Sequence, residues 1–491
     1  MKLPAAITLM LRVFGLAIAV TVSGVPTPTQ GAPKPIMVHY MPWYVAKPYS
    51  QVWGWHWTMN HFNPEQVDAA GQRSVASHYY PSIGPYDSAD PVVLEYHVLL
   101  MKLGGIDGVI VDWYGIDNFA DYPLINQRTR ALFHWVRKAG LKFSLCYEDR
   151  TIQAEVSGGY ITSANAIAHA QGAMRYAQTN FFTDSSYLQW SNKPVLLNFG
   201  PQYFKQNSQW QAIFSVLPEV PAFFAEDNKL PICSGAFNWP PMWLSQTNKG
   251  VLTVSALNSY STSFETKGGS WPAYISSVFP RFHDIYEQAN VGSSYGFLDD
   301  DGGAQFQSLL RRALTNDSIM VQLVTWNDYG EGTVIEPTVQ YGFRDLAVVQ
   351  NFRRLHVDPQ FAFHTNDLTL ARRVYDSRRR HAGNLEIAAE LDRVFTNIVS
   401  GQVSIADLQL KGIESSRPVI YETSITNGLL KFAVGGFVFP GGTEIQRTSN
   451  IASIDWETVA SYPATTNRIL FTIPIPHNGE GQFFKARSSS P

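Results

Sequence analysis

Cysteine is nearly missing: Cys146 and Cys233 are the whole supply in a chain of 491 residues. A disulfide-stapled framework is therefore excluded. One bridge remains open to an exported chain, and two buried free thiols fit the apolar, strand-like runs around them at least as well. CxxC and HExxH are absent and no His/Cys set is clustered, so a structural zinc module with tight ligand spacing is not expected. The first strand candidate is followed by "MPWYVAKP" rather than GxGxxG, which argues against a dinucleotide-binding sheet. An excess of either charge is missing too. The formal net charge is −3, which gives no electrostatic case for nucleic acid or an anionic membrane as partner. Beyond the N-terminus, no stretch is long and apolar enough to span a bilayer.

The N-terminus itself reads as a signal. Lys2 precedes an apolar stretch, Ile7–Val22, and small or turn-forming residues follow through Ala32. A secretory signal peptide cleaved near Ser23–Ala32 is expected, and with it a secreted or periplasmic protein. A retained membrane anchor is the weaker reading, because the apolar run is short and Arg12 splits it.

What the chain does have is aromatic residues. They make up 13% of it, with 13 Trp and 23 Tyr. A large core absorbs most of them, but flat aromatic faces also suit the apolar faces of sugar rings. From about residue 36 to residue 355, short strand-like runs alternate with helical stretches. Strand candidates are Pro35–Tyr40, Asp107–Asp112, Lys142–Tyr147, Pro194–Asn198, Ala222–Ala225, Ile275–Phe279 and Ile319–Thr325. Ile232–Phe237 and Val251–Leu257 compete for one further place. About eight strand–helix units predict an α/β fold, a (β/α)8 TIM barrel, with parallel strands inside and helices outside. The arginine-rich stretch Ala371–Arg393 reads as a helical connector with a solvated face, and alternating strands from about Ser415 as a small C-terminal all-β domain. The expected organisation is a signal peptide over 1–32, a catalytic barrel over 33–358, a connector over 359–412 and a β module over 413–491.

In such a barrel the chemistry sits at the C-terminal ends of the strands. The first strand is followed by His39, Tyr40, Trp43 and Tyr44, and the second by Asp112, Trp113 and Tyr114. The third leads to Tyr147, Glu148 and Asp149. Asn198, Glu226 and Asp227 end later strands, and Arg281, His283 and Asp284 follow the Ile275 run. The last strand delivers "TWNDYGEGTVIEPT", Thr325–Thr338, with Asp328, Glu331 and Glu336 beside Trp326, Asn327 and Tyr329. Any one of these has a structural explanation, since strand ends are polar. Carboxylates and aromatics at six strand ends together describe a cleft equipped to cleave sugars. Glycoside hydrolysis uses two carboxyl groups, one to protonate the leaving oxygen and one to activate water or attack the sugar carbon. Asp328 and Glu331, three residues apart in a glycine-containing loop, have the reach for either the retaining or the inverting separation. Glu336 is a third candidate, and a turn role beside Pro337 serves it equally.

These motifs carry a family likeness. "WNDYGE" (Trp326–Glu331) resembles the catalytic stretch of the fungal α-1,3-glucanases of glycoside hydrolase family 71. "EGTVIEP" (Glu331–Pro337) and "HYMPWY" (His39–Tyr44) resemble the endo-α-mannosidases of family 99, and "GIDGVIVDWYG" (Gly105–Gly115) is similar to both. The likeness covers about residues 35–355. It implies a (β/α)8 barrel, no cofactor, and Asp328 and Glu331 as the catalytic pair. Family 99 carries Glu at the position of Asp328 and a Trp-His pair where this chain has Tyr329 and Gly330, and family 71 continues differently after Glu331. Family 71 inverts the anomeric centre and family 99 retains it; the shorter Asp328 leaves room for a water and tilts the expectation toward inversion.

The leading expectation is a secreted α-glycosidase acting within a polysaccharide or oligosaccharide, α-mannan or α-1,3-glucan. Tyr40, Trp43, Trp113 and Tyr114 would be stacking platforms. Asp112, Glu148, His283 and Asp284 would hydrogen-bond sugar hydroxyls. Two alternatives stand beside it. One is a non-catalytic carbohydrate-binding barrel. The other is a metal-dependent hydrolase using, for example, His39, Asp112 and His283.

Overall fold

Eight short, almost wholly buried strands form the centre of the computed structural model. Its described residues are 33–415, 419–435, 442–452, 454–462, 468–474 and 482–488. The signal-peptide expectation falls on 1–32, outside the described residues. In chain order the central strands are β1 (Ile36–Tyr40), β2 (Gly108–Trp113), β3 (Lys142–Tyr147), β4 (Lys193–Asn198), β5 (Ala222–Glu226), β6 (Gly235–Phe237), β7 (Ala273–Val278) and β8 (Met320–Leu323). Each pairs in parallel with the next, and β8 closes on β1 through Ile36↔Val321, Met37↔Gln322 and Val38↔Leu323. The fold is a closed (β/α)8 barrel. Strands covered on both faces need apolar residues at consecutive positions rather than alternate ones. All five residues of β1 and all six of β2 and β7 are buried accordingly.

The ends of the helices have local causes. Helix Pro91–Gly104 starts with the Asp90 side chain accepting from the Val92 N–H, carries Pro at its first turn, and stops at Gly105 in the left-handed conformation (φ 80°). Of the two rival strands in the middle of the chain, Gly235–Phe237 belongs to the barrel. Val251–Leu257 does not. Thr253 caps a helix there, its side chain accepting from the Ala256 N–H, and Val254–Gly268 is helical. Most of the short apolar run seen in the sequence is exposed, Val251 and Val254 among it, and only Leu252 and Leu257 reach the core.

The stretch expected as a solvated connector is a correction. Three helices, Leu368–Arg380, Leu385–Val399 and Val403–Ser415, share the barrel's hydrophobic core. Arg378 donates from Nε and Nη2 to the two oxygens of Glu95 on helix Pro91–Gly104, at 2.9 and 2.8 Å, and Arg379 bonds Asp90. Arg372 donates to the Ser82 carbonyl at 2.8 Å. Arg378 faces the barrel, where it is the counter-ion of buried Glu95. The C-terminal strands form two three-stranded antiparallel sheets around Phe432, Val434, Ile445 and Phe471. Cys146 and Cys233 are buried free thiols.

Candidate active site

The loop after β8 is the best-braced part of the barrel mouth. The chain leaves the ladder at Val324 because the Thr325 N–H turns to the Thr333 carbonyl at 2.9 Å. The Thr325 hydroxyl, 3.0 Å from that of Thr333, accepts the Asp328 N–H at 2.7 Å. Trp326 donates its N–H to the His39 carbonyl at 2.6 Å. Asn327 clasps Met41 from both sides, accepting its N–H at 2.9 Å and donating to its carbonyl at 3.0 Å. Gly332 has φ 70°, and a Cβ there would meet the His283 carbonyl oxygen at 2.6 Å. Only glycine fits, which fixes the neighbouring Glu331. The loop is not a solvated turn.

On this frame sit two carboxyl groups of unequal acidity. Burial pushes Asp328 up to about 6, held from rising further by the backbone N–H groups of Glu331, at 3.0 Å, and Gly330. Glu331 is pushed well above the usual carboxylate range, first by burial and then by the charges of Asp328, Asp284 and Glu226; the Trp239 indole offsets part of this. Its Oε2 has no hydrogen-bond partner among the described residues. It borders a cavity of about 440 Å³ lined by Phe199, Glu226, Trp239, Trp243 and Tyr295.

Three more acids face the same mouth. Asp112 lies well above its ordinary range through burial and the charges of Glu148 and Asp328. Burial raises Glu148 to about 7, with Tyr114 hydrogen-bonded to it, and raises Glu226 to about 8. The mouth is an acidic basin whose carboxyls are raised by burial.

Several expected site residues have other duties. Glu336 is buried behind the loop and accepts from the Tyr86 hydroxyl at 2.8 Å and the Tyr329 hydroxyl at 2.9 Å, with His97 Nε2 at 3.1 Å. Tyr40 bonds the other face of His97 at 2.9 Å and is fully buried. Both belong to a hydrogen-bonded support beneath the mouth, so Tyr40 is no stacking platform. Trp113 and Trp326 are fully buried, and the Trp113 indole donates to Asn126 at 3.1 Å. Tyr44 is a brace as well, its hydroxyl donating to the Asn327 carbonyl at 2.8 Å. Asp284 spends its oxygens on Tyr286 N–H, Ser294 hydroxyl and Tyr295 N–H, shaping a loop instead of meeting a sugar. His283 stacks on His78 at 3.6 Å and does not line the Glu331 cavity. Each of these side chains follows a strand, yet its partners pull it inward or sideways.

Trp43 and Tyr114 remain partly exposed at the mouth, Trp43 stacked on His56 at 4.2 Å. The more exposed platforms are Trp243 and Tyr295, about half exposed at the rim of the cavity, which sequence reasoning missed together with Trp239. They sit deeper in the loops after β6 and β7; "NWPPMW" after the short β6 was the available signal. His39, Asp112 and Cys146 do converge, with ligand-type atoms within 4.8 Å. Asp112 and Cys146 are register partners on β2 and β3, so an inward-facing barrel layer brings them together by itself. His283, needed for the metal-hydrolase reading, is not in that group.

The fold and site define a closed parallel barrel whose mouth gathers carboxylates and aromatics. No family model matches the chain. It is similar to the glycoprotein endo-alpha-1,2-mannosidase-like proteins of Danio rerio, 22% identical over 290 residues (54% of this chain, 60% of that protein), and of Mus musculus, 23% identical over 292 residues (54% and 59%). The chain thus spans about three fifths of the length of the curated relatives it matches. Among solved structures it is similar to the family 99 endo-alpha-mannosidase from Bacteroides thetaiotaomicron, at 17% identity and a TM-score of 0.49, over 65% of this chain and 97% of that one. The curated relatives bear out the likeness to the endo-α-mannosidase group carried by the motifs of the barrel; the family 71 side rests on the motifs alone.

Proposed function

We propose that the chain is a glycoside hydrolase that cleaves α-mannosidic bonds within a glycan, with Asp328 and Glu331 as its working carboxyl pair. The observation that carries this reading is the unequal acidity of two carboxyls on one rigid loop. Glu331 is pushed well above the usual carboxylate range and borders the cavity, which suits a general acid protonating the leaving oxygen. Asp328 has backbone donors and ionises first, which suits the base. Placing groups of separated pKa around one bond is how an enzyme runs acid and base chemistry at a single pH. Trp239, Trp243 and Tyr295 would offer ring faces to sugars, and Glu148 and Asp112 would bind hydroxyls. The names of the relatives and the motifs at His39–Tyr44 and Glu331–Pro337 favour α-mannose over α-1,3-glucan. The N-terminal segment supports action outside the cytoplasm.

The test is reducing-sugar release from α-mannan and from α-1,3-glucan, by wild type and by Glu331→Gln. Release from α-mannan, lowered about 100-fold or more in the variant, is the expected result. Binding of the polymer without release by wild type would move the non-catalytic barrel ahead. Release by wild type that is undiminished in the variant would remove Glu331 from the chemistry.

A further inference from the structure

Outside the cleft, three side chains from three separate elements meet. Asp117 lies in the loop after β2, Glu155 on helix Arg150–Ser157 and His169 on helix Ala166–Ala177, and their ligand-type atoms all lie within 4.8 Å of one another. His169 Nδ1 is 2.8 Å from Asp117 Oδ2. That contact gives Asp117 a hydrogen-bonding neighbour in the imidazole. Glu155 has no such contact with His169. Glu155 is 1% exposed, and its Oε2 is a buried oxygen without a hydrogen-bond partner. Among the described residues, no lysine or arginine forms an ion pair with Asp117 or Glu155. Burial and the neighbouring Asp117 push Glu155 up to about 8, so a shared proton holds the two acids together unless a cation takes its place.

We propose that Asp117, Glu155 and His169 hold a divalent ion of the zinc type. The donor set decides the class. Two carboxylates and an imidazole match a zinc site with three protein ligands, whereas calcium and magnesium call for oxygen alone. The Asp117 and His169 side chains are 21% and 31% exposed, so a fourth position is open to water. The ligands are scattered along the chain, which is why no tight motif announces them in the sequence. The ion ties the loop after β2 to the two helices that follow β3. That loop begins at Tyr114, the partner of Glu148, so the tie steadies one wall of the acidic mouth. Its role is structural and does not depend on which bond the cleft cleaves.

The experiment is calorimetric titration of the full chain, stripped with chelator and dialysed, with zinc chloride and in parallel with calcium chloride. The variants are Asp117→Asn, His169→Ala and, as a control in the other ligand-type group, Cys146→Ser. The proposal expects one equivalent of zinc on wild type and on Cys146→Ser, with no stoichiometric uptake by Asp117→Asn or His169→Ala. It also expects zinc to raise the thermal midpoint only of the proteins that bind it. Circular dichroism establishes that each variant is folded, and the wild-type titration reads the site whatever the variants do. Absence of zinc binding by wild type, persistence of a full equivalent in both ligand variants, or calcium bound in preference to zinc would each overturn it.

Discussion

Glu336 shows how much a side chain's surroundings decide its role. By spacing it looked like a third participant in the chemistry. By its partners it is a keystone, receiving Tyr86, Tyr329 and His97 in a site closed to water. Glu336→Leu leaves two hydroxyls and an imidazole unpaired, and at about 1 kcal/mol or more for each the expected loss is about 3 kcal/mol or more, read by urea unfolding. The pair at the mouth makes a different prediction. On the proposed function Asp328 works ionised and Glu331 protonated, so kcat/KM should rise as pH climbs through about 6 and fall again once Glu331 loses its proton. In Asp328→Asn the residual activity should lose the acid limb. A rate flat from pH 4 to about 8 would contradict the assignment.

Among elements, the loop after β8 matters most, and Gly332 is its weakest point. Gly332→Ala forces a side chain into left-handed backbone against the His283 carbonyl. The expected cost is about 1–3 kcal/mol of stability. Turnover should fall by about 100-fold because Glu331 is displaced. An alanine variant with wild-type kinetics would show the loop to be more yielding than its contacts suggest. Elements were also what the sequence showed best. The barrel strands are apolar at consecutive positions and helix Pro91–Gly104 carries its own Asp90–Pro91 start and Gly105 stop, so local chemistry announced them. Val251–Leu257 misled because a short apolar run has the same composition on a strand and on a helix edge. The site was legible to the extent that strand ends deliver acids and rings. Which of those rings turn inward depends on partners far away in sequence: Tyr40 is held by His97, and Tyr44 by Asn327. The platforms Trp243 and Tyr295 lie in loops whose path no periodicity encodes, and the arginines of helix Leu368–Arg380 gave no sign that Glu95 and Asp90 awaited them.

Across the whole molecule, the acidic mouth ties stability to pH. Glu148 and Glu226 have ordinary values of 4.5 in the open chain and are raised to about 7 and about 8 by burial in the fold. Between those limits the folded protein holds protons that the unfolded chain has released. Their contribution is complete below 4.5 and is lost as pH rises through 7 and 8. The thermal midpoint should fall from about pH 5 to about pH 8, and Glu226→Gln should flatten that fall. A midpoint that climbs equally in both proteins over this range would contradict it.

The clasp between Met41 and Asn327 joins positions 286 residues apart in sequence. Contacts of such span come late in a growing chain, and closing so long a loop is slow. The floor of the mouth and the seam of the barrel therefore come into being in one late event. A chain halted or cut before β8 has its aromatic rim and several of its acids, but it has neither a closed wall nor Asp328 and Glu331. On the proposed function, the bond the cleft would break stays intact until the last barrel strand arrives, so synthesis and activation would be separated by the order of the sequence itself.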